Sequence, residues 1–107
     1  MKRTKYGAVR TTVDGITFAS KKEARRYSEL RLLERKGVIR ELLRQPRYHL
    51  SVNGIKVCTY VADFDYMEPN DGRWDHVVED VKGYRTDVYR IKKRLMKQLL
   101  VIEVTEV

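Results

Sequence analysis

Three dipeptides, Asp14-Gly15, Asn53-Gly54 and Asp71-Gly72, constrain this chain more than any other feature. Each sits between β-prone runs, and both of its residues accept the positive φ that a two-residue hairpin turn requires. They predict an N-terminal hairpin in VRTTVDGITF. They also predict three sequential strands, Arg47 to Val52, Ile55 to Tyr66, and Trp74 to Lys82. An antiparallel sheet is therefore fixed before any other element is considered.

Two helical patterns frame those strands. Ser20 opens the first, which runs to Lys36 with Gly37 beyond its cap; Tyr27, Leu30 and Leu33 mark its apolar face. Thr86 or Asp87 can cap the second, where Val88, Ile91, Leu95 and Leu99 follow helical spacing. The segment GVIRELLRQP between the first helix and the sheet reads equally as helix or strand, and VIEVTEV reads as a short closing strand. The order is helix, three strands, helix, strand, an α+β fold. A length of 107 residues suits one domain, 1–107, with residues 1–10 as a loose basic tail.

Charge is uneven along this frame. Lys and Arg number 23 against 15 Asp and Glu, a formal net charge of +8, which points to a polyanion such as nucleic acid as partner. Yet from Asp63 to Asp80 there are seven acids and a single base, Arg73. Arg90, Lys93, Arg94 and Lys97 lie on the second helix away from its apolar positions and suit phosphate contact. Cys58 is the only cysteine, which excludes an internal disulfide and a cysteine zinc site. No apolar run approaches the roughly 20 residues of a membrane helix, and MKRTKYGAVR lacks the apolar core of a signal peptide, so a cytoplasmic location is expected.

The acidic centre holds the candidate chemistry. In VVEDVKG an extended chain puts Val78, Asp80 and Lys82 on one face and Val77, Glu79 and Val81 on the other, so Glu79 is a decoy beside Asp80. Asp63, in YVADFDY, is the second carboxylate. A turn spanning Glu68 to Gly72 would not bring it opposite Asp80 in direct register, so their meeting requires a splayed or distorted strand pair. Two aspartates and a phosphodiester satisfy the oxygen preference of Mg²⁺ or Mn²⁺. Lys82 beside them could stabilise charge on the scissile phosphate or act as a base. Glu23 lies on the inward side of the first helix, where it either joins the site or closes a capping box on the Ser20 N–H. Gln45 can support the site or merely precede the bend at Pro46. His49, His76, Trp74, Tyr48, Tyr60 and Tyr66 read as ordinary sheet and core residues.

Asp63 followed by Asp80-Val81-Lys82, with a Glu on a preceding helix, resembles the PD-(D/E)XK nuclease superfamily. FASKKEARRY, IRELLRQPRYHL, YVADF and VVEDVKGYRTDVYRIKKRLM together resemble small phage and prophage proteins grouped there, described as endonuclease or Holliday-junction-resolvase-like. The likeness runs from about Lys5 to the C-terminus; Ala62 stands where the motif has its proline. It implies a restriction-endonuclease-like mixed sheet flanked by helices and Mg²⁺-dependent hydrolysis of DNA. It also implies Asp63 and Asp80 as metal ligands, Lys82 as the catalytic lysine and Glu23 as the helix carboxylate. Symmetric cutting of branched DNA needs two centres, hence a homodimer, through the Asp14-Gly15 hairpin or the strand from Val101 to Val107. A DNA-binding accessory protein without turnover and a phage structural or scaffold protein are the alternatives.

Overall fold

The computed structural model describes residues 9–81 and 85–107. Lys82 and most of the basic tail, residues 1–8, lie outside the described residues.

Asp14 and Gly15, at φ 52° and 75°, turn β1 (Thr11–Val13) into β2 (Ile16–Phe18). Ser20 then caps α1 (Lys21–Arg35): its hydroxyl accepts the Glu23 N–H at 3.2 Å, satisfying one of the amides a helix start leaves open. Gly37, at φ 76°, follows the Lys36 cap as the sequence predicts.

The undecided segment after α1 is a strand, β3 (Arg40–Arg44), with a bulge where Glu41 takes φ 58°. The bulge breaks the alternation of side chains, which is why neither period was legible there. β4 (Arg47–Val52) and β5 (Ile55–Val61) form the Asn53-Gly54 hairpin. The long strand expected from Ile55 to Tyr66 divides at Ala62 and Asp63. Its second half, β6 (Phe64–Asn70), leaves β4 and pairs instead with β3 and with β7 (Arg73–Asp80).

Thr86 caps α2 (Asp87–Leu100) through the Tyr89 N–H at 3.1 Å, and Val101 closes it at φ 57°. The closing strand is shorter than expected: β8 is Thr105–Glu106, parallel to the end of β7. A mixed sheet in the order β3-β6-β7-β8 results.

Alternation along β6 and β7 divides the core in two. Phe64, Tyr66 and Val77 face α1 and the β1–β2 hairpin, packing with Phe18, Tyr27 and Leu30. Val78 faces α2 and the β4–β5 hairpin, packing with Leu50, Tyr60, Tyr89 and Met96. The apolar face of α2 is thus the predicted one only in part: Leu95 and Leu99 pack against this core, but Tyr89 and Met96 are the buried residues and Val88 and Ile91 are 60% and 59% exposed. Spacing alone could not choose between two adjacent stripes, because Tyr89 and Met96 are seven apart and make an equally good helical repeat. Among the described residues no helix is long and apolar enough to cross a membrane.

Candidate active site

Asp71 and Gly72, at φ 48° and 79°, are the whole turn between β6 and β7. The ladder runs from Asn70↔Arg73 to Phe64↔Glu79 without a break and stops there: the Asp63 N–H donates to the Glu79 carbonyl at 3.1 Å, one residue out of the ladder's register. The register of the strands below thus brings Asp63 to the level of Asp80, and the distortion expected where they meet is present, with Asp63 outside both strands and its side chain hydrogen-bonded to Asp80. The turn itself is shorter than expected, two residues rather than the five from Glu68 to Gly72.

Asp63 folds its carboxylate back over the strand end, where Oδ2 accepts the Val81 N–H at 2.7 Å. Burial, followed by hydrogen bonding to Asp80, pushes its carboxyl up to about 8; the Val81 N–H offsets part of this, and the charges of Asp80 and Glu23 add to it. Asp80 is 5% exposed and receives the Tyr60 hydroxyl. Desolvation first and that contact second push the Tyr60 hydroxyl far upward, so it stays a donor.

Glu23 reaches this pair from α1. Burial raises its carboxyl, Arg44 and a backbone hydrogen bond at Ala19 oppose the rise, and Asp80 adds to it. Half of the expected capping box is present, the Ser20 half; the backbone partner of the Glu23 carboxylate is Ala19 rather than Ser20. Glu23 is therefore both a residue of the helix start and a third charge near the aspartates.

Glu79 points the other way, as alternation requires, and is 1% exposed. Arg26 meets it with Nε at 2.8 Å and Nη2 at 2.5 Å, and Tyr66 donates a further hydrogen bond. This is a satisfied structural ion pair, separate from the aspartates.

The bases of α2 line their own hollow of about 380 Å³, with Arg85, Tyr89, Arg90, Lys93, Arg94 and Lys97 in its wall. Lys93 lies 3.3 Å from Glu106, whose carboxyl is held at about 2 chiefly by the Arg85 and Tyr89 hydrogen bonds. β8 carries Glu106 next to Asp80, so the hollow begins one strand beyond the aspartates.

Sequence reasoning missed the roles of several residues. Tyr60 and Tyr66 fill core positions, but their hydroxyls serve Asp80 and Glu79. Tyr48 likewise donates to Asp65, which His76 Nε2 also meets at 2.8 Å. Arg44 was invisible because its strand was undecided.

Among the described residues no group of three or more His, Cys, Asp or Glu is arranged to hold a metal ion. A hard cation that keeps water and takes substrate phosphate needs only one or two carboxylates. Burial first and Asp80 second raise the Asp63 carboxyl, and a bound cation would oppose both, so the two carboxylates are a donor set that fits a hard divalent cation.

The fold and site define an α+β protein with a paired-aspartate centre at the end of a mixed sheet. The chain belongs to the family described as "Protein of unknown function (DUF1064)", which matches residues 3–104. No curated protein and no solved structure matches it.

Proposed function

We propose that this protein is a metal-dependent DNA endonuclease of restriction-endonuclease-like fold, phage-encoded and acting as a homodimer on branched DNA. The observation that carries the reading is the side-chain contact of Asp63 with Asp80 at the end of β6 and β7, with Glu23 in electrostatic reach. A mixed sheet between α1 and α2 agrees with the architecture the resemblance implies.

Asp63 and Asp80 would hold Mg²⁺ or Mn²⁺, which when bound polarises the scissile phosphate and activates water. The remaining work falls to the chain. Tyr60 fixes one Asp80 oxygen and the Val81 N–H fixes one of Asp63, so both carboxylates meet substrate in set orientations. Lys82, two residues beyond Asp80, supplies an ammonium for charge building on the phosphate. The α2 bases Arg90, Lys93, Arg94 and Lys97 neutralise backbone phosphates beyond β8.

Linear, nicked and four-way-junction DNA incubated with and without Mg²⁺ or Mn²⁺ test the proposal. Cleavage that needs the cation and favours the junction is the expected result. Binding without cleavage in any cation would leave an accessory protein, and neither binding nor cleavage would leave a scaffold.

A further inference from the structure

Across the end of the mixed sheet stand Gln45, Asp63, Asp80 and Val107 in that order. The Gln45 N–H donates to the Asp63 carbonyl at 2.9 Å, and the Val107 N–H donates to the Asp80 carbonyl at 3.0 Å. The basic hollow of α2 occupies the Val107 side. The Gln45 side holds a second hollow, about 270 Å³, walled by Arg10, Thr17, Phe18, Glu23, Arg44 and Gln45.

Its chemistry is that of a phosphodiester cradle. Two guanidinium groups, a carboxamide and a hydroxyl are all donors to non-bridging phosphate oxygens, and guanidinium matches them two at a time. Arg44 is placed by β3, whose register sets it opposite Phe64, the residue after Asp63. Its guanidinium carbon lies over the Phe18 ring, 5.4 Å from the centroid, a cation–π contact that holds the side chain in the wall of the hollow. Arg44 also lowers the Glu23 carboxyl. Glu23 thus forms the wall shared by this hollow and the aspartates. An anionic strand approaching three carboxylates needs cations on both sides, and α2 supplies only one.

We infer that the hollow is a DNA phosphate site, in which Arg44 and Arg10 hold a backbone phosphate on the Glu23 side of the aspartates. Placing it next to the cut rests on the nuclease reading; the contact with DNA does not. The strand then runs from the Arg10–Arg44 hollow, over Asp63 and Asp80, to the bases of α2.

The test is fluorescence anisotropy of labelled four-way-junction DNA with the full chain, in EDTA, over a salt series. Arg44→Ala and Arg10→Ala should each flatten the slope of log K against log salt by about one, with Arg44→Lys keeping the slope. Single-turnover cleavage in Mn²⁺ should show Arg44→Ala raising the half-saturating DNA concentration while the saturating rate stays within about twofold of the parent, the signature of lost uniform binding. Should Arg44→Ala melt too early to measure, the exposed Arg10 decides the matter. Parent-like affinity and slope in both arginine variants overturn the inference. So does a loss confined to the saturating rate, which would make Arg44 only a counter-charge to Glu23. A parent that binds but never cleaves sinks the nuclease reading instead, and the salt slopes still judge the hollow.

Discussion

Asp63→Asn should make the protein more stable and inactive at once. The substitution keeps the side chain's shape and both of its hydrogen-bonding directions. The amide oxygen can accept the Val81 N–H that the carboxylate accepts at 2.7 Å, and the amide NH₂ can donate to Asp80. Only the charge is lost. In the parent, the Asp63 carboxyl is raised to about 8. A raised folded-state carboxyl contributes its full stability below the unfolded value, and that contribution is lost as pH rises through the folded value. The parent's stability relative to the variant therefore falls between about pH 4 and pH 8. At about 1.4 kcal/mol per pKa unit the ceiling is roughly 6 kcal/mol; solvent at the half-buried group and local relaxation bring the expected gain to about 2 kcal/mol. For a chain of this size that is about 10 °C in Tm at pH 8.5, shrinking towards pH 5. Circular dichroism melts of both proteins across this range give the difference directly. A variant less stable than the parent at pH 8.5, or a gap that widens on acidification, refutes the paired-carboxylate reasoning.

Tyr60→Phe keeps the ring beside Tyr48 and Tyr89, at centroid distances of 6.4 and 6.3 Å, but removes the donor to Asp80. It should slow cleavage about tenfold while costing about 1 kcal/mol in urea unfolding, and an unchanged rate would dismiss Tyr60 as an orienting group. Arg26→Ala strands the buried Glu79 with only Tyr66 and should cost about 3 kcal/mol; a urea midpoint equivalent to less than about 1 kcal/mol would contradict the role given to that ion pair. Lys93→Ala with Arg94→Ala should weaken DNA binding alike for all sequences and flatten the salt slope by about one per lost contact, whereas an unchanged slope would return α2 to solvent.

What the sequence revealed depended on how local each signal was. Ser20, Gly37 and the three turn dipeptides act within a few residues, so both helices and all three hairpins were legible. β3 was not, because the bulge at Glu41 destroys the period of two on which a strand reading relies. The break at Asp63 was hidden for a different reason: YVADFDY is continuous β-prone sequence, and only competition between β4 and β3 for partners decides where it divides. The aspartates could be named from chemistry and resemblance, yet their register hinged on one turn length. The same limit hid Tyr60. A tyrosine in a strand reads as core, and whether its hydroxyl meets a carboxylate is settled by how the β4–β5 hairpin packs on β7. Glu79 was separated from Asp80 correctly because strand alternation is a local rule, although its partner Arg26 is a long-range fact.

Single-turnover cleavage of four-way-junction DNA by the parent, Asp80→Ala and Lys82→Ala, each with Mn²⁺ and with EDTA, tests the central claim most directly. The parent should cut only in Mn²⁺, and each variant should cut at least about a hundredfold more slowly, a loss of roughly 3 kcal/mol in transition-state stabilisation, while binding the junction with little change. Parent-rate cleavage by either variant, or cleavage by the parent in EDTA, would contradict the account.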